Sequence, residues 1–240
     1  MTRSRRRGGF DGMIDRFSPN FDDRPDGVSI DILVLHYTGM ETATAAIERM
    51  CDQSAKVSAH YVIDEDGVVC RLVAEGARAW HAGRSAWRGD FWLNGRSIGI
   101  ELVNPGHEFG YRPFPDAQMQ SLIELSRDIL SRHPIPARNV VGHSDISPVR
   151  KQDPGELFDW QALAAAGVGL WPDDVGGGGV LSLADGGVES ALEAIGYDVT
   201  DLAAAVRAFQ RRFCPARVDG VADDETCARM AAVRALFEGS

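Results

Sequence analysis

Apolar and polar positions divide the 240-residue chain into stretches of different period. Residues 1–27 are polar, rich in Gly, Asp and Arg, and follow neither a helical nor a strand period, so they read as an N-terminal tail. Ser29 to His36 (SIDILVLH) is dominated by β-branched and aliphatic residues, as a buried central strand requires, and it ends on a histidine. Thr42 to Asp52 puts Ile47, Met50 and Cys51 on one helical face. Ala59 to Val73 reads as two strands joined at Asp66-Gly67, where glycine supplies the positive φ of a tight hairpin. Ser97 to Val103 (SIGIELV) is a further strand closed by Asn104-Pro105-Gly106, with Glu101 near its end. Asp116 to Arg132 spaces Met119, Leu122, Ile123, Ile129 and Leu130 as a helix that must stop before Pro134. Arg138 to His143 (RNVVGH) is a short strand that again ends on histidine. Strands alternating with helices predict an α/β domain over residues 28–172, with a mixed central sheet flanked by helices and its chemistry on loops beyond the strand ends.

Residues 173–179 contain four consecutive glycines and read as a linker. Beyond them, residues 180–240 predict a three-helix bundle with helices at Gly187 to Ile195, Asp201 to Phe213 and Asp223 to Phe237. The second of these is expected to bury Leu202, Val206, Phe209 and Phe213. A bundle of about 60 residues buries little apolar surface, so it is expected to lean on its neighbour.

Charge narrows the partners. A formal net charge of −10 and a pI near 5.0 argue against nucleic acid and against an anionic membrane surface; the run Arg3 to Arg7 is local and reads as solvated. Apolar runs such as Ile32 to Leu35 fall far short of the roughly 20 residues that span a bilayer. The stretch from Gly8 to Gly27 is broken by Asp11, Asp15, Arg16, Asp22, Asp23, Arg24 and Asp26, and lacks the apolar centre of an export signal. A cytoplasmic location is therefore expected, or a periplasmic one if a leader is missing from the chain. Cys51, Cys70, Cys214 and Cys227 lack metal-binding or disulfide-scaffold spacing and read as free thiols, although Cys214 and Cys227 are candidates for pairing in an oxidising compartment.

Two histidines at predicted strand ends, His36 and His143, are followed by Asp153 ten residues after the second. Two imidazoles and a carboxylate suit a catalytic zinc, which takes three protein ligands and keeps one position open. By themselves they are weak evidence, since a strand-end histidine is more often a hydrogen-bonded structural residue. His143-Ser144-Asp145 also offers an H-x-D pair of the kind used by non-haem iron oxygenases.

Five strings set in order along the chain change that balance: LHYT at 35–38, VSAHYVIDEDG at 57–67, AWHAG at 79–83, SIGIELVNPG at 97–106 and VGHSDISPVRKQDPG at 141–155. Together they resemble the AmpD/AmiD-type zinc N-acetylmuramoyl-L-alanine amidases, whose fold is similar to that of peptidoglycan recognition proteins. The resemblance implies one Zn2+ per chain on His36, His143 and Asp153, with Glu101 as general base and Lys151 stabilising the oxyanion. It implies substrate contacts from Tyr37, Trp80, His81 and Asn94, and a role for His60 either behind a ligand or as a buried hydrogen-bonded residue. His107 and His133 lie outside the strings and receive no role. The implied reaction is hydrolysis of the amide between the lactyl group of N-acetylmuramic acid and L-alanine in peptidoglycan fragments, anhydro-muropeptides of cell-wall recycling included. Alternatives are a muropeptide-binding protein without activity and a periplasmic wall-remodelling amidase. The expected partner is muropeptide or peptidoglycan, and the chain is expected to act as a monomer.

The C-terminal unit resembles a helical peptidoglycan-binding domain through AVRAFQRRF at 205–213 and VDGVADDETCARM at 218–230. Asp219-Gly220 suits a turn and Asp223 or Asp224 a helix cap, roles that account for the second string without a ligand.

Overall fold

A computed structural model describes residues 13–172 and 187–239; the linker read at 173–179, residues 1–12 of the tail and the start of the helical unit at 180–186 lie outside the described residues. The segment 13–27, expected to lack regular structure, carries β1 (Ile14–Asp15) and β2 (Phe21–Asp23). Hydrogen bonds to remote backbone hold it in place. The Asn20 side-chain amide donates to the carbonyls of Met50, Asp52 and Val57, and the Arg24 guanidinium to those of Glu75, Gly95 and Ser97. Partners so distant along the chain leave no local period, which is why the segment resembles a tail in sequence.

The strand ending on the first histidine is β3 (Ile32–Tyr37). It leads to α1 (Ala43–Cys51), whose first turn is capped by the Thr42 hydroxyl accepting from the Ala45 amide. The predicted hairpin forms from β4 (Tyr61–Ile63) and β5 (Val69–Arg71), with Gly67 at φ +88° in the turn. Then come β6 (Ala77–Ala79), which pairs with β2, and a small ribbon of β7 (Ala86–Trp87) and β8 (Asp90–Phe91). These short pieces escaped the sequence reading because two or three residues cannot establish a period. They are followed by β9 (Ser97–Leu102), the four-residue α2 (Gly106–Phe109) and α3 (Asp116–Arg132). The strand expected over Arg138 to His143 is shorter: β10 spans Val140–Gly142, and His143 opens a one-turn helix, α4 (His143–Ile146). The domain ends with α5 (Trp160–Ala165).

The main sheet is mixed, in the order β1-β5-β4-β9-β3-β10, with β4, β9, β3 and β10 parallel to one another. Alternation along its central strands sorts residues between two faces. Leu33 and Leu35 of β3 and Ile98, Ile100 and Leu102 of β9 pack against Leu122, Leu125 and Ile129 of α3. Burying each such side chain contributes about 1.5–3 kcal/mol relative to exposing it. The intervening residues, Ile32, Val34 and His36 of β3 and Ser97, Gly99 and Glu101 of β9, belong to the opposite face.

That opposite face is covered in part by α6 (Gly187–Ile195), α7 (Leu202–Phe213) and α8 (Asp224–Glu238). One apolar cluster runs from Ile32, Val34, Val141 and Ile146 into Ile195, Val206, Phe209, Phe213 and Val233. The helical unit therefore shares a core with the α/β domain. Leu202, expected to be buried, is 40% exposed because the inward face of α7 begins one turn later. Buried Gln210 explains both C-terminal strings: its Nε2 donates to the Val221 carbonyl at 2.9 Å, while its Oε1 accepts from the Gly220 amide at 2.8 Å. The Asp223 carboxylate caps α8 through the Thr226 amide.

Candidate active site

Parallel pairing brings the C-terminal ends of β3, β9 and β10 to one edge of the sheet, where open α/β sheets bind ligands. The register aligns His36 with Glu101 and Leu35 with Gly142, so His143, one residue beyond β10, stands beside His36. Asp153 is drawn to the same place by the Ser144 amide, which donates to its carbonyl at 2.8 Å. His36 Nδ1 lies 2.9 Å from His143 Nδ1 and 3.1 Å from Asp153 Oδ2, and His143 Nδ1 lies 3.0 Å from the same carboxylate oxygen.

The surrounding bonds determine where the imidazole protons sit. Ser97 Oγ donates to the Leu93 carbonyl, so it accepts from His81 Nε2–H at 3.1 Å; His81 Nδ1 is then bare and accepts from His36 Nε2–H at 3.0 Å. His143 Nε2 faces the Ala82 carbonyl at 3.2 Å and must be its donor. In the neutral tautomers that these bonds select, both Nδ1 atoms are therefore unprotonated. Two bare nitrogens and a carboxylate oxygen, all buried, converge with no hydrogen between them, an arrangement that needs a cation. Among the described residues, His36, His143 and Asp153 form a group able to share a metal ion.

Electrostatics favour uncharged rings at His36 and His81 near neutral pH. Burial, reinforced by repulsion from His143, pushes His36 down to about 4. Burial, reinforced by His36 and His60, pushes His81 far below the usual imidazole range. Burial also works against ionisation of Asp153, but its histidine neighbours prevail and hold the carboxyl well below the usual carboxylate range.

A cleft of about 370 Å3 opens over the group, lined among others by Tyr37, Arg49, Glu101, Lys151 and Asp153. Glu101 Oε2 is buried without a hydrogen-bond partner. Burial, with the Asp153 charge adding and Lys151 opposing, raises the Glu101 carboxyl well above its ordinary range. A carboxylate in that condition is poised to take a proton and keep it for delivery.

Tyr37 lines the cleft as expected of a substrate contact, and its hydroxyl meets His107 Nδ1 at 2.9 Å, so His107, to which the sequence assigned no role, fixes the rim together with Glu156. The other three residues expected to touch substrate make side-chain hydrogen bonds within the protein. His81 also lines the cleft, with both its ring nitrogens used beneath His36. Asn94 Oδ1 accepts from the His81 and Ala82 amides at 3.2 and 2.7 Å and so positions the two residues that orient the imidazoles. The Trp80 indole donates to Asp22 at 3.1 Å and is outside the cleft lining. His60 is a buried, hydrogen-bonded histidine: its Nδ1 accepts from the Gly99 amide and its Nε2 donates to the Ala77 carbonyl. Sequence reasoning missed Ser97, Asn94 as an orienting residue, and the Ala82 carbonyl. A serine at a strand start and a backbone oxygen carry no signal in sequence. The H-x-D alternative fails because both Asp145 carboxylate oxygens are engaged by Gly142, Tyr197 and Arg212. All four cysteines are free, and no described helix is long and apolar enough to cross a membrane.

Comparison with known proteins bears on the same residues. The family model described as N-acetylmuramoyl-L-alanine amidase matches residues 26–156, and a peptidoglycan binding domain model matches 186–230. The amidase AmiD of Escherichia coli is 38% identical over 234 residues, covering 87% of this chain and 83% of the relative. The 1,6-anhydro-N-acetylmuramyl-L-alanine amidase AmpD of Haemophilus influenzae is 37% identical over 162 residues, 60% of this chain and 86% of the relative. In structure, the complex of Escherichia coli AmiD with its substrate anhydro-N-acetylmuramic acid-L-Ala-D-γ-Glu-L-Lys superposes with a TM-score of 0.78 at 34% identity, covering 92% of this chain and 99% of that one. AmpDH3 of Pseudomonas aeruginosa in complex with anhydromuramic pentapeptide gives 0.75 at 32% identity, covering 92% and 98%. With the family model spanning β3 through Asp153 and the relative spanning both units, the chain belongs to the N-acetylmuramoyl-L-alanine amidase family.

Proposed function

We propose that the chain uses one zinc ion, held by His36 Nδ1, His143 Nδ1 and Asp153 Oδ2, to cleave the amide between the lactyl group of N-acetylmuramic acid and L-alanine, with anhydro-muropeptides among its substrates. The observation that carries this reading is an unpartnered, buried Glu101 oxygen on the strand next to His36, beside three converging donor atoms. Donors around a tetrahedral zinc stand about 3.3 Å apart for bonds of about 2.0–2.1 Å. The 2.9–3.1 Å separations of the three atoms are close to that spacing. The anhydro-muropeptide fragments bound to the AmiD and AmpDH3 neighbours support the substrate class.

A zinc ion bound here supplies Lewis acidity and makes water acidic enough to serve as a nucleophile near neutral pH. Glu101 takes the proton of the attacking water and delivers it to the alanine nitrogen as the C–N bond breaks, because an amine leaves poorly unless protonated. The Lys151 ammonium, on the cleft wall, stabilises the negative charge that develops on the carbonyl oxygen. Tyr37 and its His107 partner shape the rim against which the substrate lies.

The test is Glu101→Gln, assayed for release of stem peptide from anhydro-muropeptide alongside zinc content by elemental analysis. The expected outcome is full zinc occupancy with a rate lower by about 10²–10⁴-fold. Turnover close to wild type would remove Glu101 from the mechanism.

A further inference from the structure

Asp145 is fully buried two residues beyond His143, yet takes no part in the cluster at Asp153. Its Oδ2 accepts from the Gly142 amide at 2.8 Å, closing the N-terminus of the one-turn helix that His143 opens. The remaining partners come from the C-terminal unit: Arg212 Nη1 of α7 reaches Oδ2 at 2.9 Å, and the Tyr197 hydroxyl, just after α6, donates to Oδ1 at 2.8 Å. Arg212 is itself buried, its guanidinium 4.1 Å from the centre of the Trp160 ring. Trp160 and Pro154 in turn crowd Gly142, standing 3.2 and 2.7 Å from where a Cβ would be. A buried carboxylate is costly unless paired, and here the paired cation lies on the other structural unit. The same turn holds Asp153 through the Ser144 amide.

We propose that Arg212 and Tyr197 are positioning residues of the metal site: by neutralising and orienting Asp145, the C-terminal helices hold the turn that presents His143 and Asp153. The helical unit then has a role in catalysis independent of any glycan it binds. This inference rests on the reading of His36, His143 and Asp153 as metal ligands.

The experiment uses the full chain with Arg212→Met, Tyr197→Phe and the double variant Arg212→Met/Asp145→Asn. Zinc affinity is measured by chelator competition, the visible spectrum of the cobalt(II)-substituted protein is recorded, and thermal unfolding is followed in parallel. Arg212→Met is expected to weaken zinc binding about 10–100-fold and to alter the cobalt bands, as loss of a residue supporting a ligand does. Tyr197→Phe, a smaller change that keeps the ring packing, is expected to move both readouts in the same direction by less. In the double variant the neutral amide no longer needs a cation, so part of the affinity is expected to return. Unchanged zinc affinity and unchanged cobalt bands in folded Tyr197→Phe and Arg212→Met would overturn the proposal and reduce the ion pair to a tie between units. Wild-type protein that binds neither metal would instead overturn the ligand assignment, and this inference with it.

Discussion

His36, His60 and His81 are buried imidazoles in one layer beneath the cleft, and their protonation has a measurable consequence. Burial first, then the neighbouring His143 and Arg24 charges, hold His36 at about 4 and His60 at about 3; His81 is also far below its usual range. In the unfolded chain each takes a proton near 6.5. As pH falls below about 6.5 the unfolded state of the metal-free protein binds protons that the folded state refuses, so stability declines with falling pH. Each imidazole contributes up to about 1.4 kcal/mol per pH unit, an effect complete only when the folded-state values near 3–4 are passed. Denaturant titrations of metal-free protein at pH 7, 6 and 5, above the range where unfolded carboxylates titrate, are expected to give a falling free energy of unfolding. A flat profile would show that these rings accept protons in the fold. At this scale the sequence identified His36, His143, Asp153 and Glu101, since a strand-end histidine and a carboxylate in a strand are local features and the ordered strings tie them together. It did not show that His81 and Asn94 also support the ligands, because a motif lists neighbours in sequence but not the direction in which each side chain points.

Among the elements, β9 shows how close packing supports chemistry. Gly99 lies on the same face as Glu101, and a Cβ at Gly99 would stand 2.5 Å from the His81 ring. The strand is held on both sides by β3 and β4 and cannot retreat. In Gly99→Ala the imidazole must therefore yield, loosening its bond to His36. We expect a loss of about 1–3 kcal/mol of stability from overpacking and a fall in zinc affinity of about 10–100-fold from the disturbed support of His36. Calorimetric zinc titration checks the second effect, and wild-type affinity would mean that His81 does not orient the ligand. The long elements were legible in advance: α3 has the bounds Asp116 and Arg132 that its apolar spacing and Pro134 dictate, and the buried run SIDILVLH contains β3. The short strands were not: β1, β2 and β6 are strands because of partners remote in sequence, and β7 and β8, which pair with each other, are two residues each and establish no period.

At the scale of the whole molecule, the apolar cluster joining Val34 and Val141 to Phe209, Phe213 and Val233 crosses from the sheet to the C-terminal helices. Units that share a core and a buried ion pair lose both when either opens. Calorimetry of the full chain is expected to show one cooperative transition, and two resolved transitions would mean that the units unfold independently. By itself the amino-acid order determined the class of fold, the long strands and helices, a cap at Asp223 or Asp224, and the candidates for holding a metal and moving a proton, because alternation, helical period, capping and strand-end placement are properties of short stretches. Only the tertiary structure decided that residues 13–27 belong to the domain, that His81 and Asn94 brace the ligand histidines, and that Arg212 answers the charge of Asp145. Each of these depends on which distant segment arrives opposite a given side chain, and local period contains no record of that encounter.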